Sequence, residues 1–158
     1  MKKLLATIDS YGPTILRIAL GGVLIVHGLQ KTVGLCGGNG FAGTMKFFTG
    51  SLHIPYVFAL AAIITESLGS ACIILGLLTR FWSLGVAIMI SVAAYKVHLP
   101  NGFFMNWSGK QKGEGFEYHI LMVAMALTLM VPGAGRASLD AALAGTKAKK
   151  SKSEKVKA

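Results

Sequence analysis

Four long apolar segments, separated by polar stretches, constrain this sequence more than any other feature. They cover residues 13–29, 56–78, 81–97 and 118–131. A helix needs about 20 apolar residues to cross the ~30 Å hydrocarbon core of a bilayer. The second segment reaches that length alone, the first and third reach it with their flanks, and the fourth is the shortest. Because backbone groups in lipid must bond to one another, such spans fold as helices. We predict an all-α integral membrane four-helix bundle.

The composition and charge of the chain agree with this fold class. Hydrophobic residues make up 53% of the sequence and charged residues 14%, which excludes an ordinary soluble domain. Much of the net charge of +10 comes from residues 146–158, which contain six Lys and one Glu. We therefore expect a helical domain over residues 1–145 and a basic, disordered tail over 146–158. A basic tail of this kind attracts anionic lipid headgroups. It contains no aromatic residue or motif for nucleic-acid recognition, so we do not expect a nucleic-acid partner.

The distribution of Lys and Arg around the segments predicts the topology. Counted at the segment ends, one side exceeds the other by ten to five, so we place both termini in the cytoplasm. The chain is then a multi-pass protein of the bacterial cytoplasmic (inner) membrane. Lys2 and Lys3 precede an apolar run, as in a signal peptide, but Pro13 and Arg17 interrupt that run. We expect the segment to be retained as the first span.

Two of the connections between the apolar segments allow further predictions. The second and third segments are separated by little more than residues 79–80, which requires an antiparallel hairpin. In the first outer loop, Phe41, Met45 and Phe48 recur at helical spacing. That spacing suits either a short helix at the bilayer surface or an ordered loop packed over the bundle.

Glu66 is the most informative polar residue, because it lies near the middle of the second apolar segment. An ionised, unpaired carboxylate is costly at that depth, so we expect Glu66 to be protonated or paired with a cation. It shares a helical face with Gly69 and Ile73 and should therefore look into the bundle. It is either an interhelical clamp or a functional proton carrier or ligand contact.

The first segment carries three more polar residues, Arg17, His27 and Lys31. Arg17 and Lys31 lie on one helical face, with Gly21 and Gly28 between them allowing another helix to approach closely. The two cations either extend to opposite interfaces or take part in a site, and His27 either satisfies a core hydrogen bond or binds a ligand.

The predicted topology gathers polar side chains at the outer face, where the first and third helices end and the fourth begins. This outer cluster comprises His27, Lys31, Tyr95, Lys96, His98, Glu117, Tyr118 and His119. Two uses are open: a proton-handling site for a redox ligand, or a His/Glu metal site. The metal alternative lacks an HxxH or HxxxH pair, so we assign no metal ligands. Cys36 and Cys72 form no CxxC pair, and no haem, flavin or iron–sulfur motif is visible.

Three stretches of the sequence resemble the DoxX family of small membrane proteins. They are LRIALGGVLIVHGLQK, ITESLGSACIILGLLTR and GAGRASLD, and the resemblance extends over about residues 13–143. In that family the first span carries Arg, Gly, His-Gly and Lys, and the second a mid-membrane acid. His98, Glu117 and Asp140 also match family positions. The resemblance implies a four-helix membrane protein. Some members are subunits of quinone-linked oxidoreductases, and others are linked to oxidative or thiol stress.

These observations lead to a working hypothesis of a quinone-linked redox component. A quinone would lie near Glu66, which exchanges a proton, while His27 and Lys31 hydrogen-bond a quinone oxygen. The further ligand-binding candidates are Arg17, Tyr95, His98 and Glu117. An enzymatic role requires a partner subunit that delivers electrons. The alternatives are a non-catalytic scaffold that anchors a partner enzyme, and a small-molecule or metal transporter that works as a homo-oligomer.

Overall fold

The computed structural model describes residues 2–144, and every regular element in that range is a helix. The all-α prediction is thereby confirmed for this part of the chain, while the predicted tail, residues 146–158, lies outside it. Apart from a 3-10 turn, Leu35–Gly37, and a π-turn, Phe47–Ser51, the helices of this range are α1 (Lys2–Leu5), α2 (Tyr11–Thr32), α3 (Gly40–Lys46), α4 (Tyr56–Leu75), α5 (Thr79–Asn101), α6 (Glu117–Met130) and α7 (Leu139–Leu143).

Three of these helices, α2, α4 and α5, are long and apolar enough to cross a membrane. They contain 22, 20 and 23 residues, so at 1.5 Å per residue each extends about 30 Å. Large apolar side chains point outward from them, including Ile15, Val57 and Ile88, each more than half exposed. A soluble protein rarely exposes so much apolar surface, and lipid is the medium that matches it. The chain is a membrane protein whose helices contact lipid.

The fourth apolar segment forms the shorter helix α6, which has 14 residues. Helix α5 packs against α6 and α4, and α2 packs against α4 and α6, which closes a ring of four helices. The core of this ring consists of Leu20, Leu24, Ile73, Val86, Ala87, Ile90, Met122, Ala126 and Leu129.

The connection between α4 and α5 differs slightly from the prediction. Helix α4 ends at Leu75, and the turn comprises Gly76, Leu77 and Leu78, so Thr79 and Arg80 already belong to α5. Gly76 and Leu78 both have positive φ, 68° and 49°. Such a conformation is disfavoured for leucine, so other parts of the chain must hold it. We call the end of the bundle that contains this turn the hairpin end.

The first outer loop contains the short helix α3, which continues into a π-helical turn, Phe47–Ser51. Met45 of α3 is buried against Ala59 and Ile63 of α4. The predicted short helix is present, and it packs over the first half of α4. The loop therefore contains the short helix of the first alternative, and this helix packs over the bundle as the second alternative expected.

Two arginines at the hairpin end donate hydrogen bonds to backbone carbonyls of other segments. Arg17 of α2 is 2% exposed, and its guanidinium donates to the carbonyl oxygens of Ala134 (3.0 Å) and Ala137 (2.6 Å) and to that of Ile74. Arg80 of α5 donates to the carbonyl oxygens of Met130 and Val131, at 2.8 Å and 2.9 Å. These carbonyls lie in or beyond the last turns of helices, where no intrahelical donor is available.

Asp140 supplies the matching acceptor. Its carboxylate is 1% exposed and accepts hydrogen bonds from the backbone N–H groups of Leu78 (2.7 Å) and Thr79 (3.0 Å). It therefore caps the start of α5 and holds Leu78 in its left-handed conformation. Arg136 forms an exposed ion pair with Asp9 nearby, and hydrogen bonding to that carboxylate raises the pKa of Arg136 above its ordinary value.

Replacing the Asp140 carboxylate should expose its structural role. Asp140→Ala leaves the buried N–H of Thr79 and the partly buried N–H of Leu78 unsatisfied, and we expect a loss of about 2–4 kcal/mol in the free energy of unfolding. Asp140→Asn keeps one acceptor oxygen and should lose less. Thermal unfolding in detergent measures both, with the exposed Glu114→Ala as the control carboxylate. Equal stability of all three variants would contradict the capping role.

Candidate functional site

Glu66 and Lys31 form an ion pair between α4 and α2. The distance from Lys31 Nζ to Glu66 Oε2 is 2.7 Å, and the side chains are 25% and 9% exposed. Lys31 lies in the last turn of α2, and Glu66 is the eleventh residue of the 20-residue α4. Of the two states expected for Glu66, the structure has the one in which a cation neutralises the carboxylate.

The two helices approach closely at this point because Gly28 has no side chain. A Cβ atom added to Gly28 would lie 2.6 Å from Ser67 Cα and would also collide with the carbonyl of Glu66. Gly21, two turns earlier, packs in the same way, since its Cβ would lie 3.0 Å from the Ser70 carbonyl oxygen. Small residues at such positions are how membrane helices bring their backbones together.

The backbone of α4 is irregular at the ion pair. Residues Thr65–Gly69, which include Glu66, form a π-helical turn. Two serine hydroxyls donate to carbonyls in this stretch, Ser67 to Ile63 and Ser70 to Glu66, both at 2.6 Å. A π-turn in a helix is energetically unfavourable and often occurs at a functional site.

A group of histidines lies at the end of the bundle opposite the hairpin, which we call the histidine end. The rings of His98 in α5 and His119 in α6 have centroids 4.0 Å apart and planes tilted by 41°. His98 Nδ1 donates to the carbonyl of Glu114 at 2.9 Å. Within residues 2–144, His119 Nδ1 is buried and has no hydrogen-bond partner. His27 of α2 lies within electrostatic range of His119.

The remaining candidates lie in different places. His27 Nδ1 is 3.1 Å from Gln30 Oε1, and in the described part of the chain it bonds to neither Lys31 nor Glu66. Arg17 is at the hairpin end, bound to backbone carbonyls. Glu117 Oε1 accepts from the N–H of Met105 at 2.9 Å and thereby fixes the loop before α6. Tyr95 is 70% exposed.

The structure thus pairs Lys31 with Glu66, brings the rings of His98 and His119 together, and leaves Arg17 apart. His119 was in the predicted outer cluster but not among the chosen site residues. The signal that could have selected it is its position at the start of the fourth segment, level with His98 at the end of the third. Among the described residues, no three His, Cys, Asp or Glu side chains are arranged to hold a metal ion.

A groove of about 460 Å³ runs between α5 and α6 from the histidine end. Its walls are apolar, with Leu99, Ile120 and Val123 among them, and Tyr95 and His119 also line it. Because several lining residues are exposed on the outer surfaces of α5 and α6, the groove opens sideways, toward the lipid that surrounds the bundle.

Comparison with known proteins places the chain in context. The profile of the DoxX family matches residues 12–99, which is more than half of the chain. A Bacillus subtilis protein named "Putative oxidoreductase CatD" is 30% identical over 118 residues, covering 75% of this chain and 78% of that protein. An uncharacterised Haemophilus influenzae protein is 37% identical over 68 residues, but the match covers 43% of this chain and only 41% of that protein. No solved structure matches significantly.

The close contact at Gly28 gives a matched pair of substitutions on one helix. Gly28→Ala forces α2 and α4 apart, and we expect a loss of about 1–3 kcal/mol in stability. Gly22→Ala adds its Cβ to open space and should be neutral or slightly stabilising. Thermal unfolding in detergent distinguishes them, and equal melting temperatures would contradict the contact.

The ion pair can be tested with a double-mutant cycle. Lys31→Met leaves the Glu66 carboxylate buried without its cation, so the free energy of unfolding should fall by about 3–5 kcal/mol. The double variant Lys31→Met/Glu66→Gln should recover most of that loss. Lys46→Met, at an exposed lysine of α3, is the control. Unfolding free energies that simply add would show that the two side chains do not interact.

Proposed function

This chain belongs to the DoxX family, and from that membership we propose that it is a membrane component of a quinone-linked redox system that acts with a partner subunit. The relative named "Putative oxidoreductase CatD" supports the redox class. The observation that carries the proposal is the Lys31–Glu66 pair. Ionisable residues within a membrane span are rare, and they commonly mark proton or ligand pathways.

The residues present fit the chemical demands of a quinone. A quinone, when bound, supplies a lipid-soluble acceptor of two electrons and two protons. Lys31 Nζ has three hydrogens, of which the salt bridge to Glu66 needs one, so others remain for a carbonyl oxygen. Glu66 Oε2 can hold a proton once Lys31 turns from it to a ligand, because the carboxylate then loses its neutralising cation.

The protons must reach the pair from the aqueous face. Lys31 is a quarter exposed and one residue from the end of α2, so it is the member of the pair nearer to water. His27 lies one turn before Lys31, and His119, whose ring contacts that of His98, lies within electrostatic range of His27. An imidazole ring has one nitrogen that donates a hydrogen bond and one that accepts, which suits these residues to a hydrogen-bonded path toward the pair.

The electrons must come from elsewhere. The sequence carries no haem, flavin or iron–sulfur motif, so the proposal includes a partner subunit that delivers them. The hairpin end, where the exposed Arg136 pairs with the partly buried Asp9 and lies over the ring of Tyr11, is the surface we assign to the cytoplasmic side.

We also propose that α6 is a fourth membrane crossing and that both termini are cytoplasmic. Helix α6 begins beside α5 at the histidine end, where His119 contacts His98. It finishes at the hairpin end, where Arg80 binds the carbonyl of Met130. It therefore runs the distance between the two ends of the bundle, and short flanks complete its span. An inner-membrane location in bacteria is part of the same proposal.

The scaffold alternative gives the Lys31–Glu66 pair a different role. In a scaffold the pair holds α2 against α4, and its protonation chemistry has no consequence. The two functions therefore predict different results when the carboxylate is replaced by its neutral amide, which keeps the shape of the side chain and a hydrogen-bond acceptor.

Quinone retention is the test of the proposal. The protein is purified in mild detergent, its lipids are extracted, and quinone is quantified by chromatography. We expect near-stoichiometric quinone in the wild type and a large loss in Glu66→Gln and His27→Ala, with Glu114→Gln as the matched control outside the spans. Quinone at background membrane levels in every sample would refute the proposal and favour the scaffold.

A further inference from the structure

We propose that the second outer loop, residues 102–116, is a membrane anchor that binds the headgroups of anionic phospholipids at the outer surface of the bilayer. The loop joins the end of α5 to the start of α6 at the histidine end. The inference involves neither the quinone nor the Lys31–Glu66 pair. It follows from the fixed backbone of the loop, from the aromatic side chains that the loop exposes, and from two lysines beside them.

The base of the loop is closed by backbone hydrogen bonds and by ring packing. The N–H groups of Phe116 and Glu117 donate to the carbonyl oxygens of Gly102 and Phe103, at 3.2 Å and 2.9 Å respectively. The ring of Phe103 packs edge-on against those of Phe104 and Phe116, with centroids 5.2 Å and 5.4 Å apart. The two ends of the loop are therefore held together, and the loop leaves the bundle as one unit.

The tip of the loop is a β-turn whose shape is fixed by Asn106. The N–H of Gly109 donates to the carbonyl of Asn106 at 3.0 Å, which closes the turn. The Asn106 side chain also bridges to Gln111: Nδ2 donates to the Gln111 carbonyl at 3.1 Å, and Oδ1 accepts from the Gln111 N–H at 2.9 Å. Asparagine at the first position and glycine at the fourth are typical of such turns. Trp107 occupies the second position, at the apex.

The acids at the C-terminal end of the loop hold its backbone. Glu114 Oε2 accepts from the N–H of Asn106 at 2.6 Å, and Glu117 Oε1 accepts from that of Met105 at 2.9 Å. Within residues 2–144, neither carboxylate forms an ion pair with a lysine of the loop. The positive charge of the loop is therefore available to an anion outside the chain.

The aromatic side chains near the tip face away from the protein. Trp107 is 88% exposed and Phe104 is 67% exposed. Lys110 and Lys112 follow closely in the sequence and are also exposed. Exposed apolar side chains that cluster together mark a contact surface. Tryptophan with lysine is typical of the headgroup region of a bilayer, where the indole ring meets hydrocarbon and the ammonium group reaches the polar surface.

The surface of the loop continues the lipid-facing surface of α6. Ile120 and Leu121, in the first turns of α6, are 49% and 62% exposed. Helix α6 has 14 residues, about 21 Å at 1.5 Å per residue, so it needs apolar residues before its start to cross ~30 Å of hydrocarbon. The phenylalanine rings at the base of the loop supply that apolar length, which places the Trp107 turn at the bilayer surface.

The charge of the loop selects among lipids. Lys110 and Lys112 lie near the tip, while Glu114 is bound to the backbone N–H of Asn106. A lysine next to an anionic membrane surface is attracted to it, and salt weakens that attraction. A zwitterionic lipid carries no net charge, so an anionic phospholipid such as phosphatidylglycerol is the class of partner that fits.

Tryptophan fluorescence of the full chain in lipid nanodiscs tests the anchor. The sequence has two tryptophans, Trp82 and Trp107, so the variant Trp82→Phe reports on the loop alone. Phosphatidylcholine brominated close to the headgroup should quench Trp107 about twofold more than phosphatidylcholine brominated near the chain ends. The difference between the spectra of the wild type and Trp107→Phe measures the same quantity with Trp82 intact.

The headgroup preference is measured with bromine at one position on two different headgroups. At the same minor fraction in phosphatidylcholine nanodiscs, brominated phosphatidylglycerol should quench Trp107 about two to three times more strongly than brominated phosphatidylcholine. The double variant Lys110→Gln/Lys112→Gln should remove this excess, and so should high salt. Lys46→Gln, at an exposed lysine of α3 in the first outer loop, should keep it. Each variant is first checked for a single species by size exclusion and for its melting temperature.

Two results would overturn the inference. If brominated lipids leave Trp107 unquenched while aqueous iodide quenches it, the loop lies in water and is open to a protein partner instead. If the two headgroups quench equally, or if the excess persists without both lysines, the loop does not bind anionic headgroups. The loop variants leave Lys31 and Glu66 unchanged, so quinone retention succeeds or fails independently of this test.

Discussion

The structure depends on one constraint, which is that backbone polar groups within a bilayer have no water to bond. Helices satisfy this constraint along their length, so the difficulty is concentrated where helices end. At the hairpin end the chain solves it with side chains, of which Arg17 and Asp140 are buried. Arg17 and Arg80 bind the free carbonyls of α4, α6 and the segment after α6, and Asp140 binds the free N–H groups of α5. Through these bonds the three residues connect α2 and the segment after α6 to the hairpin of α4 and α5. The bonds thereby help to fix the positions of α2, α4 and α5 relative to one another.

Once α2 and α4 are aligned, the Lys31–Glu66 pair can form. Gly28 lets the two backbones meet at the level of Glu66, and Lys31 lies one turn farther along the same face of α2. The pair forms where α4 departs from regular helical geometry, so three features that each carry an energetic cost coincide: a glycine in a helix, a π-turn and two charges in an apolar span. A clamp between two helices could be built from serines at a lower cost. This coincidence is why we assign the pair a chemical role as well as a structural one.

The sequence predicted the helices well because apolar blocks directly reflect lipid contact. It also predicted that Glu66 would face the bundle, and a cation was one of the two partners expected for it. The placement of Arg17 and Lys31 at opposite ends was one of the two alternatives that the sequence left open, but the bonds of Arg17 to backbone carbonyls had no sequence signal. Spacing of fourteen residues puts Arg17 and Lys31 on one face, but at 1.5 Å per residue they are about 21 Å apart, so they serve opposite ends. The predicted second segment extended to residue 78, beyond the observed end of α4 at Leu75. Leu77 and Leu78 continue the apolar pattern of the sequence, although Gly76 ends the helix. The π-turns and the groove between α5 and α6 had no sequence signal, since both depend on how two surfaces fit together.

The position of Glu66 near the middle of α4 has a consequence for how the protein senses the membrane potential. A full elementary charge moved across a membrane gains or loses about 2.3 kcal/mol per 100 mV, so a charge halfway across is subject to roughly half of that. While Lys31 and Glu66 remain together, their charges cancel, and the electric field acts only weakly on them as a small dipole. If a ligand separates them, the dipole grows, and if a proton leaves for the aqueous face, one unbalanced charge remains within the field. The work of binding or proton release at this pair then depends on the voltage that the cell maintains.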